Sequence, residues 1–370
     1  MNSLKGVIVG LLFIVLAPVG LWFNEKNAVE TAAALTEGAG KVVHVEEAKK
    51  DPTTTPKLVH VWGKADTKDT LKDPDFGVSA VAIKLERHVE MYQWKQEKHE
   101  RTEDTVGGSK KTITTYTYKL VWDDDEINSS EFNDKDPKYR NPPMAMKKMT
   151  FKSQNVTLGD YKLSESLIDM INNSQQLSIT EVMTNSFPDE LKAKYKAANG
   201  ILQSGTPGNP QVGDLKITFK VTNPQDVSLV SCTMNGEFTP YKASNGHEVQ
   251  LLECGKFDAP MMFQHAQDAN AMMTWIFRLL GFVVMWIGIS LIIAPIREFA
   301  GAIPLFGMLL GGAVGFGVGI FGFVVAAFAT SLVIAVAWLA VRPMLSIGLM
   351  VAVLGLTFAM RGMFGKKKTA

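Results

Sequence analysis

AIPLFGMLLGGAVGFGVGIFGFVVAAFATSLVIAVAWLAV, residues 302–341, contains no charged side chain. As a single helix it would run about 60 Å, twice the roughly 30 Å of a hydrocarbon core. It is the centre of a longer apolar block, Met272 to Met360, where Arg342 is the only charge between Glu298 and Arg361. A water-soluble domain could not leave such a run exposed. The block therefore reads as several membrane spans, and the rest of the chain as something attached to a membrane.

Polar breaks divide the block. Pro295, Arg297 and Glu298 end a first span over about 275–294, and Arg342-Pro343 separates 320–341 from a last span over 344–360. Residues 302–319 are then expected to form an entry segment, tilted or lying at the interface. Near the other end, Lys5 precedes the apolar run Gly6–Phe23, interrupted only by Pro18. That run is longer than a signal-peptide core and ends in bulky Leu21, Trp22 and Phe23, which favours a retained anchor over a cleaved signal. Lys5 and the tail Arg361, Lys366, Lys367 and Lys368 both belong on the cytoplasmic side by the positive-inside rule. Both ends on one side require an even number of spans. The expectation is four transmembrane helices, one N-terminal and three C-terminal: an anchor at 1–23, an outward domain at 24–270, a membrane domain at 271–361 and a basic tail at 362–370.

The net charge of +1 hides an asymmetry, because residues 24–270 carry 30 Lys and Arg against 36 Asp and Glu. An acidic segment without a basic stripe is a poor nucleic-acid binder, since phosphate neutralisation dominates that affinity. Strand-like runs fill the segment: Leu58–Gly63, Val78–Leu85 continuing to Trp94, Thr112–Trp122, Asp214–Val221, Val227–Met234 and Glu248–Leu252. In Thr115–Trp122 apolar and polar residues alternate, the period of a half-buried strand. Gly107-Gly108 reads as the turn of a long hairpin that would set Trp94 opposite Trp122. Two helices are expected, one capped by Ser164 and one from Pro188 to Ala198 stopping at Asn199-Gly200. The outward segment is thus expected to be an α+β domain.

Few residues suggest chemistry. Gly307, Gly311, Gly315 and Gly319 recur every four residues, a spacing that lets helices approach closely in lipid; the alternative is an ordinary Gly-rich apolar segment. The last two spans hold no ionisable side chain, which argues against ion-coupled transport. His44, His60, His88, His99, His247 and His265 show no metal-binding spacing, and Asp123-Asp124-Asp125-Glu126 lacks the glycine of a calcium loop. No nucleophile elbow or phosphate loop is present, and no cofactor is expected. Cys232 and Cys254 lie in successive strand candidates on the side that permits disulfides; they form either one bridge or two separate thiols.

Several stretches together resemble the transmembrane protein 43 (LUMA) family. They are Val89-Glu90-Met91-Tyr92-Gln93-Trp94, Tyr116-Thr117-Tyr118 with Trp122, Asn24-Glu25, Asn141-Pro142, Val212-Gly213-Asp214-Leu215, Met273-Thr274-Trp275 with Arg278, and Trp338 with Arg342-Pro343. The resemblance implies four spans and a large lumenal or periplasmic domain. It also implies a non-enzymatic scaffold, with lamins and emerin as partners of the animal members and no assigned catalytic residues. The uncharged 307–319 segment is closer to bacterial members, which have neither partner. The expected location is a bacterial inner membrane with the domain periplasmic, or the endoplasmic reticulum and inner nuclear membrane in a eukaryote. The expected partners are membrane lipids and other membrane proteins or further copies of the chain. Lipid handling or an envelope-stress response is the alternative, and an envelope hydrolase a distant third.

Overall fold

The structure, a computed structural model, describes residues 2–50, 56–104, 110–185, 187–301 and 304–339, with positions 347, 348, 351 and 355. The expected fourth span, with Arg342 and Pro343, lies outside this set apart from those four positions. Three long helices dominate: α1 (Asn2–Lys41), and, after the short α2 (Glu165–Met170), α3 (Glu181–Thr184) and α4 (Asp189–Lys194), the long α5 (Ala259–Gly301) and α6 (Pro304–Leu339). All three long helices are apolar enough to cross a membrane. At ~1.5 Å per residue, α1 and α5 are about twice the thickness of a hydrocarbon core. Each therefore carries an amphipathic extension, Asn24–Lys41 in α1 and Ala259–Thr274 in α5, beyond the apolar run.

Between α1 and α5 the chain forms two seven-stranded sheets. The first has the order Glu237–Thr239, Gln225–Met234, Lys57–Asp66, Thr157–Leu158, Tyr161–Lys162, with Val43–His44 and Leu251–Cys254 added alongside. Both of its faces are covered. Val59, Val61, Leu158, Val227 and Leu229 meet α2 residues Leu167 and Ile168 in one core. On the opposite face, Leu58 and Val230 pack against Ala34 and Leu35 of α1 and Met262 and Phe263 of α5. Burial on both sides explains why the middle of Gln225–Met234 reads as a continuous buried run and not as an alternation.

The second sheet has the order Tyr195–Ala198, Ile201–Ser204, Leu215–Thr222, Lys84–Asp104, Lys110–Asp123, with Gln175–Leu177 and Met149–Lys152 added alongside. Here alternation is clean: Leu215, Ile217 and Phe219 are buried while Lys216, Thr218 and Lys220 are not. They meet Leu85, Val89, Met91, Phe76 and Tyr195 in a separate core. Arg87 lies on that inward face, 2% exposed. Its guanidinium donates to both carboxylate oxygens of fully buried Asp73 at 3.0 and 2.9 Å, and to Asp75 at 2.6 Å. Asp73 in turn accepts the backbone N–H groups of Asp75 and Phe76. The charge is thus paired and hydrogen-bonded, as burial demands, and it pins the 73–78 turn onto the sheet.

Three sequence expectations change. The hairpin register sets Trp122 opposite Tyr92 and Trp94 opposite Leu120, two residues from the expected pairing. The helix expected over Pro188–Ala198 stops at Lys194, and Tyr195–Ala198 pairs with Ile201–Ser204 as a strand. Asn199-Gly200, both at positive φ, is a two-residue hairpin turn and not a helix end, because positive φ at both central positions suits the strand twist. The domain is accordingly β-rich with short helices, more strand than the α+β expectation allowed. Cys232 and Cys254 are free thiols. Cys254 lies opposite Val227, five residues along the strand from Cys232, which lies opposite Leu58 and Thr239. That offset is far beyond disulfide reach.

Candidate functional site

The most distinctive polar cluster among the described residues lies where α1, α5 and α6 meet. Glu25 follows the apolar run of α1, Arg278 opens that of α5, and Trp338 closes that of α6. Glu25 is 1% exposed. It accepts from Arg278 Nε at 2.7 Å, from Arg278 Nη2 at 2.8 Å and from Trp338 Nε1 at 2.6 Å. The guanidinium also lies over the rings of Trp275 and Trp338, at 4.6 and 5.3 Å from their centroids. A two-pronged arginine–carboxylate pair fixes distance and plane together, so the ends of the three apolar runs are locked at one level. Asn24-Glu25, Trp275 with Arg278, and Trp338, which carried the family resemblance separately, are one site in space.

From this node the α1–α5 pair runs on as a stalk. Asn24 Nδ2 donates to the Thr274 carbonyl, Asn270 Nδ2 to that of Ala28 and Gln267 Nε2 to that of Ala32. On the other side of the node, Gly10 and Gly288 touch backbone to backbone. A Cβ on Gly10 would lie 2.6 Å from the Gly288 carbonyl oxygen, and one on Gly281 would lie 2.6 Å from a Leu21 methyl. Side-chain amides thus bind the helices where water reaches, and small residues do so in the apolar part.

The far end of the stalk is fastened to the domain. Glu37 accepts from Tyr241 Oη at 2.6 Å, from the Ser244 N–H at 3.0 Å and from Lys41 at 2.7 Å. Asn245 donates to the Glu30 carbonyl at 2.6 Å. Where the chain leaves α1 and enters α5, both connections converge on His60, which is 2% exposed. His60 Nε2 must donate to the Phe257 carbonyl at 2.9 Å, so its Nδ1 faces His44 Nδ1 at 2.9 Å as the acceptor. Burial pushes the His60 imidazole below its ordinary range.

The family-like hexapeptide is a structural clamp. Val89 and Met91 are in the second core, and Glu90 pairs with Lys216 at 3.3 Å. Gln93 is fully buried; it donates to the Asp125 carbonyl at 2.7 Å and accepts from the Ile127 N–H at 2.9 Å. Tyr92 packs on Trp122, with ring centroids 5.2 Å apart. Trp94 exchanges two backbone bonds with the Asn141 side chain. Gly307, Gly311, Gly315 and Gly319 all fall within α6, but the surroundings of the first three lie outside the described residues. Two clefts among the described residues, of about 470 and 640 Å³, are open grooves on the domain surface, one lined by the 126–143 loops and one by Lys50, Lys152, Lys162 and neighbours. Asp123, Asp124 and Asp125 lie close together, mostly exposed, with Asp123 paired to Lys95.

The chain carrying the node, the stalk and the clamp is similar to known proteins along most of its length. The sequence model of the family described as "Transmembrane protein 43" matches residues 91–343. Transmembrane protein 43 of Mus musculus and of Homo sapiens are each 32% identical to the chain over 92% of its length and 85% of theirs. The Transmembrane protein 43 homolog of Drosophila melanogaster is 26% identical over 93% of the chain and 90% of its own length. No solved structure matches. The chain is a multi-span membrane protein of the transmembrane protein 43 family.

Proposed function

We propose that the protein is an integral membrane scaffold, without catalysis, that holds a β-rich recognition domain at a set height and angle over the outer face of the membrane. The observation that carries this reading is the continuity of α1 and α5 from the apolar spans through the Glu25–Arg278–Trp338 node to the Glu37 and His60 joints with the first sheet. A domain on a flexible tether can bind, but it cannot orient what it binds. A domain fused to two packed helices transmits position. In this arrangement the cytoplasmic face carries the N-terminus and the basic tail, the membrane contains four spans, and lipids and other membrane proteins are the partners. The open grooves on the domain surface support surface recognition more than the enclosure of a lipid chain, which calls for a deep apolar cavity near the helices.

Crosslinking the full-length chain in its native membrane, with identification of both protein and lipid adducts, tests the proposal. Recovery of discrete protein contacts mapping to the β-rich domain supports it. Recovery of lipid alone, with no protein or self-contact, defeats it in favour of lipid handling.

A further inference from the structure

A two-stranded hairpin, Tyr241–Lys242 with Glu248–Val249, hangs beside the stalk. Among the described residues, the hydrogen bonds of its turn to Glu30 are the domain's closest bonds to the node along α1. We infer that this turn, residues 243–247, rests on the lipid headgroups and gives the domain a second point of contact with the membrane beside its helices. This rests on the scaffold reading and names lipid headgroups as one of its partners.

The level of the membrane follows from the node. Glu25, Arg278 and Trp338 mark the ends of the apolar runs. Trp22 and Trp275 nearby are 41% and 66% exposed, as aromatics at headgroup level are. Glu30 lies five residues beyond Glu25 on the same helix, about 7.5 Å along its axis. The headgroup layer of one leaflet is about 5–7.5 Å deep. Asn245 Nδ2 donates to the Glu30 carbonyl at 2.6 Å, and the His247 imidazole meets the Glu30 carboxylate at 3.1 Å. Helical side chains lean toward the N-terminus, which in α1 is the membrane side. The carboxylate and the imidazole bound to it therefore sit lower than the Glu30 backbone, at the top of the headgroup layer.

The turn is held firmly in that place. The Gly246 N–H donates to the Ala243 carbonyl and the Ala243 N–H to the His247 carbonyl, both at 2.9 Å. The His247 N–H donates to Asn245 Oδ1 at 3.0 Å. Ala243 is buried in the same core as Ala34 and Leu35 of α1, and the Ser244 N–H donates to the Glu37 carboxylate at 3.0 Å. The turn is thus closed on itself and bonded to the stalk at two levels.

The occupant follows from continuity, because the apolar runs of α1 and α5 place a bilayer directly below the turn. The chemistry of the turn suits headgroups and not acyl chains. Ser244, Asn245 and Gly246 are exposed and carry no apolar side chain that could enter the hydrocarbon. Glu248 lies opposite Lys242, so the hairpin has no net charge for the phosphates to repel. On α1, Lys26 adds a cation one residue beyond Glu25. Its side chain is 57% exposed and its Nζ is 3.9 Å from Glu30, too far for a hydrogen bond, so its N–H groups remain open to a phosphate oxygen.

The test uses the full-length chain in phosphatidylcholine vesicles, with Cys232→Ala and Cys254→Ala as background and one new cysteine carrying a bimane fluorophore. Gly246→Cys and Gly208→Cys form a matched pair. Their φ angles are 86° and 87°, and a Cβ at either position finds nothing within 4 Å. Gly208 lies between strands of the second sheet, whose core includes no residue of α1 or α5. A nitroxide on the choline headgroup is expected to quench Gly246→Cys and leave Gly208→Cys bright. A nitroxide midway along the acyl chain is expected to quench neither. Should thermal unfolding show Gly246→Cys to be misfolded, Glu248→Cys, an exposed strand position beside the turn, carries the label with the same expectation. Equal headgroup quenching of the turn and of Gly208→Cys, or stronger quenching of the turn from the acyl chain, overturns the headgroup contact. Protein crosslinks to the domain beside an unquenched turn leave the scaffold reading standing without it. A quenched turn with no protein contact anywhere keeps the headgroup contact and defeats the scaffold reading.

Discussion

Glu25 and Arg278 are 253 residues apart in sequence and form a two-pronged ion pair at 2.7 and 2.8 Å at the junction of spans and stalk. The pair turns three apolar helices of similar composition into a defined bundle. Any helix rotated or shifted by one residue would leave a charge without its partner in an apolar setting.

Removing one member is predicted to be far worse than removing both. Glu25→Ala strands the guanidinium and the Trp338 N–H, at a cost of about 3–5 kcal/mol. The double variant Glu25→Leu with Arg278→Met should recover much of that loss. A double-mutant cycle read by thermal unfolding in detergent checks this, and simple additivity of the two single losses would show the pair to be uncoupled.

The helix contact at Gly10 and Gly288 is predicted to tolerate no side chain. Gly10→Ala should cost about 1–3 kcal/mol, because the new methyl meets backbone that cannot move aside. Gly20 serves as the control, since a Cβ added there would find nothing within 4 Å, and Gly20→Ala should be neutral or slightly stabilising. Thermal midpoints of the two variants in one detergent decide the matter.

Asn141 acts as a one-residue substitute for a neighbouring strand. Its amide donates to the Trp94 and Ile127 carbonyls at 2.9 and 3.1 Å and accepts the Trp94 N–H at 2.8 Å. Asn141→Ala is predicted to cost about 1–3 kcal/mol through groups left unpaired. Asn141→Asp should cost more, since a carboxylate would face two carbonyl oxygens. Denaturant unfolding gives the magnitude, and faster hydrogen exchange confined to the 125–143 loops would confirm the cause.

Acidification should loosen the joint at His60. Burial, with a smaller contribution from His44, lowers its proton affinity in the fold, against the Phe257 carbonyl and Asp258, which raise it. Glu46 is the other titratable neighbour, 3.8 Å from His44. The unfolded chain thus takes the proton first. Stability is full above the unfolded value of about 6.5 and falls as pH drops through it toward the lower folded value. Thermal midpoints at about pH 7.5 and 5 should differ in the parent and differ less in His60→Gln. An equal pH slope in both proteins would remove His60 as the cause.

The sequence alone determined the parts that depend on local order. Apolar runs must leave water, so the three helices long and apolar enough to cross a membrane, one N-terminal and two C-terminal among the described residues, are legible from composition. The alternation of Thr115–Trp122 and the hairpin it belongs to follow from strand periodicity. What stays hidden depends on which distant residues meet. The hairpin register lies two residues from a match between tryptophans, and Gln93 beside it is buried and bonded to the distant 125–127 turn. The Asn199-Gly200 turn reads equally well as a helix end because both demand positive φ, and only the pairing of Tyr195 with Ser204 separates them. The node is invisible in the same way. Glu25, Arg278 and Trp338 are ordinary residues near span ends until the antiparallel packing of α1 and α5 brings them within hydrogen-bonding distance. A charge in an apolar setting is intolerable alone and stabilising in company, and company is a property of the tertiary structure.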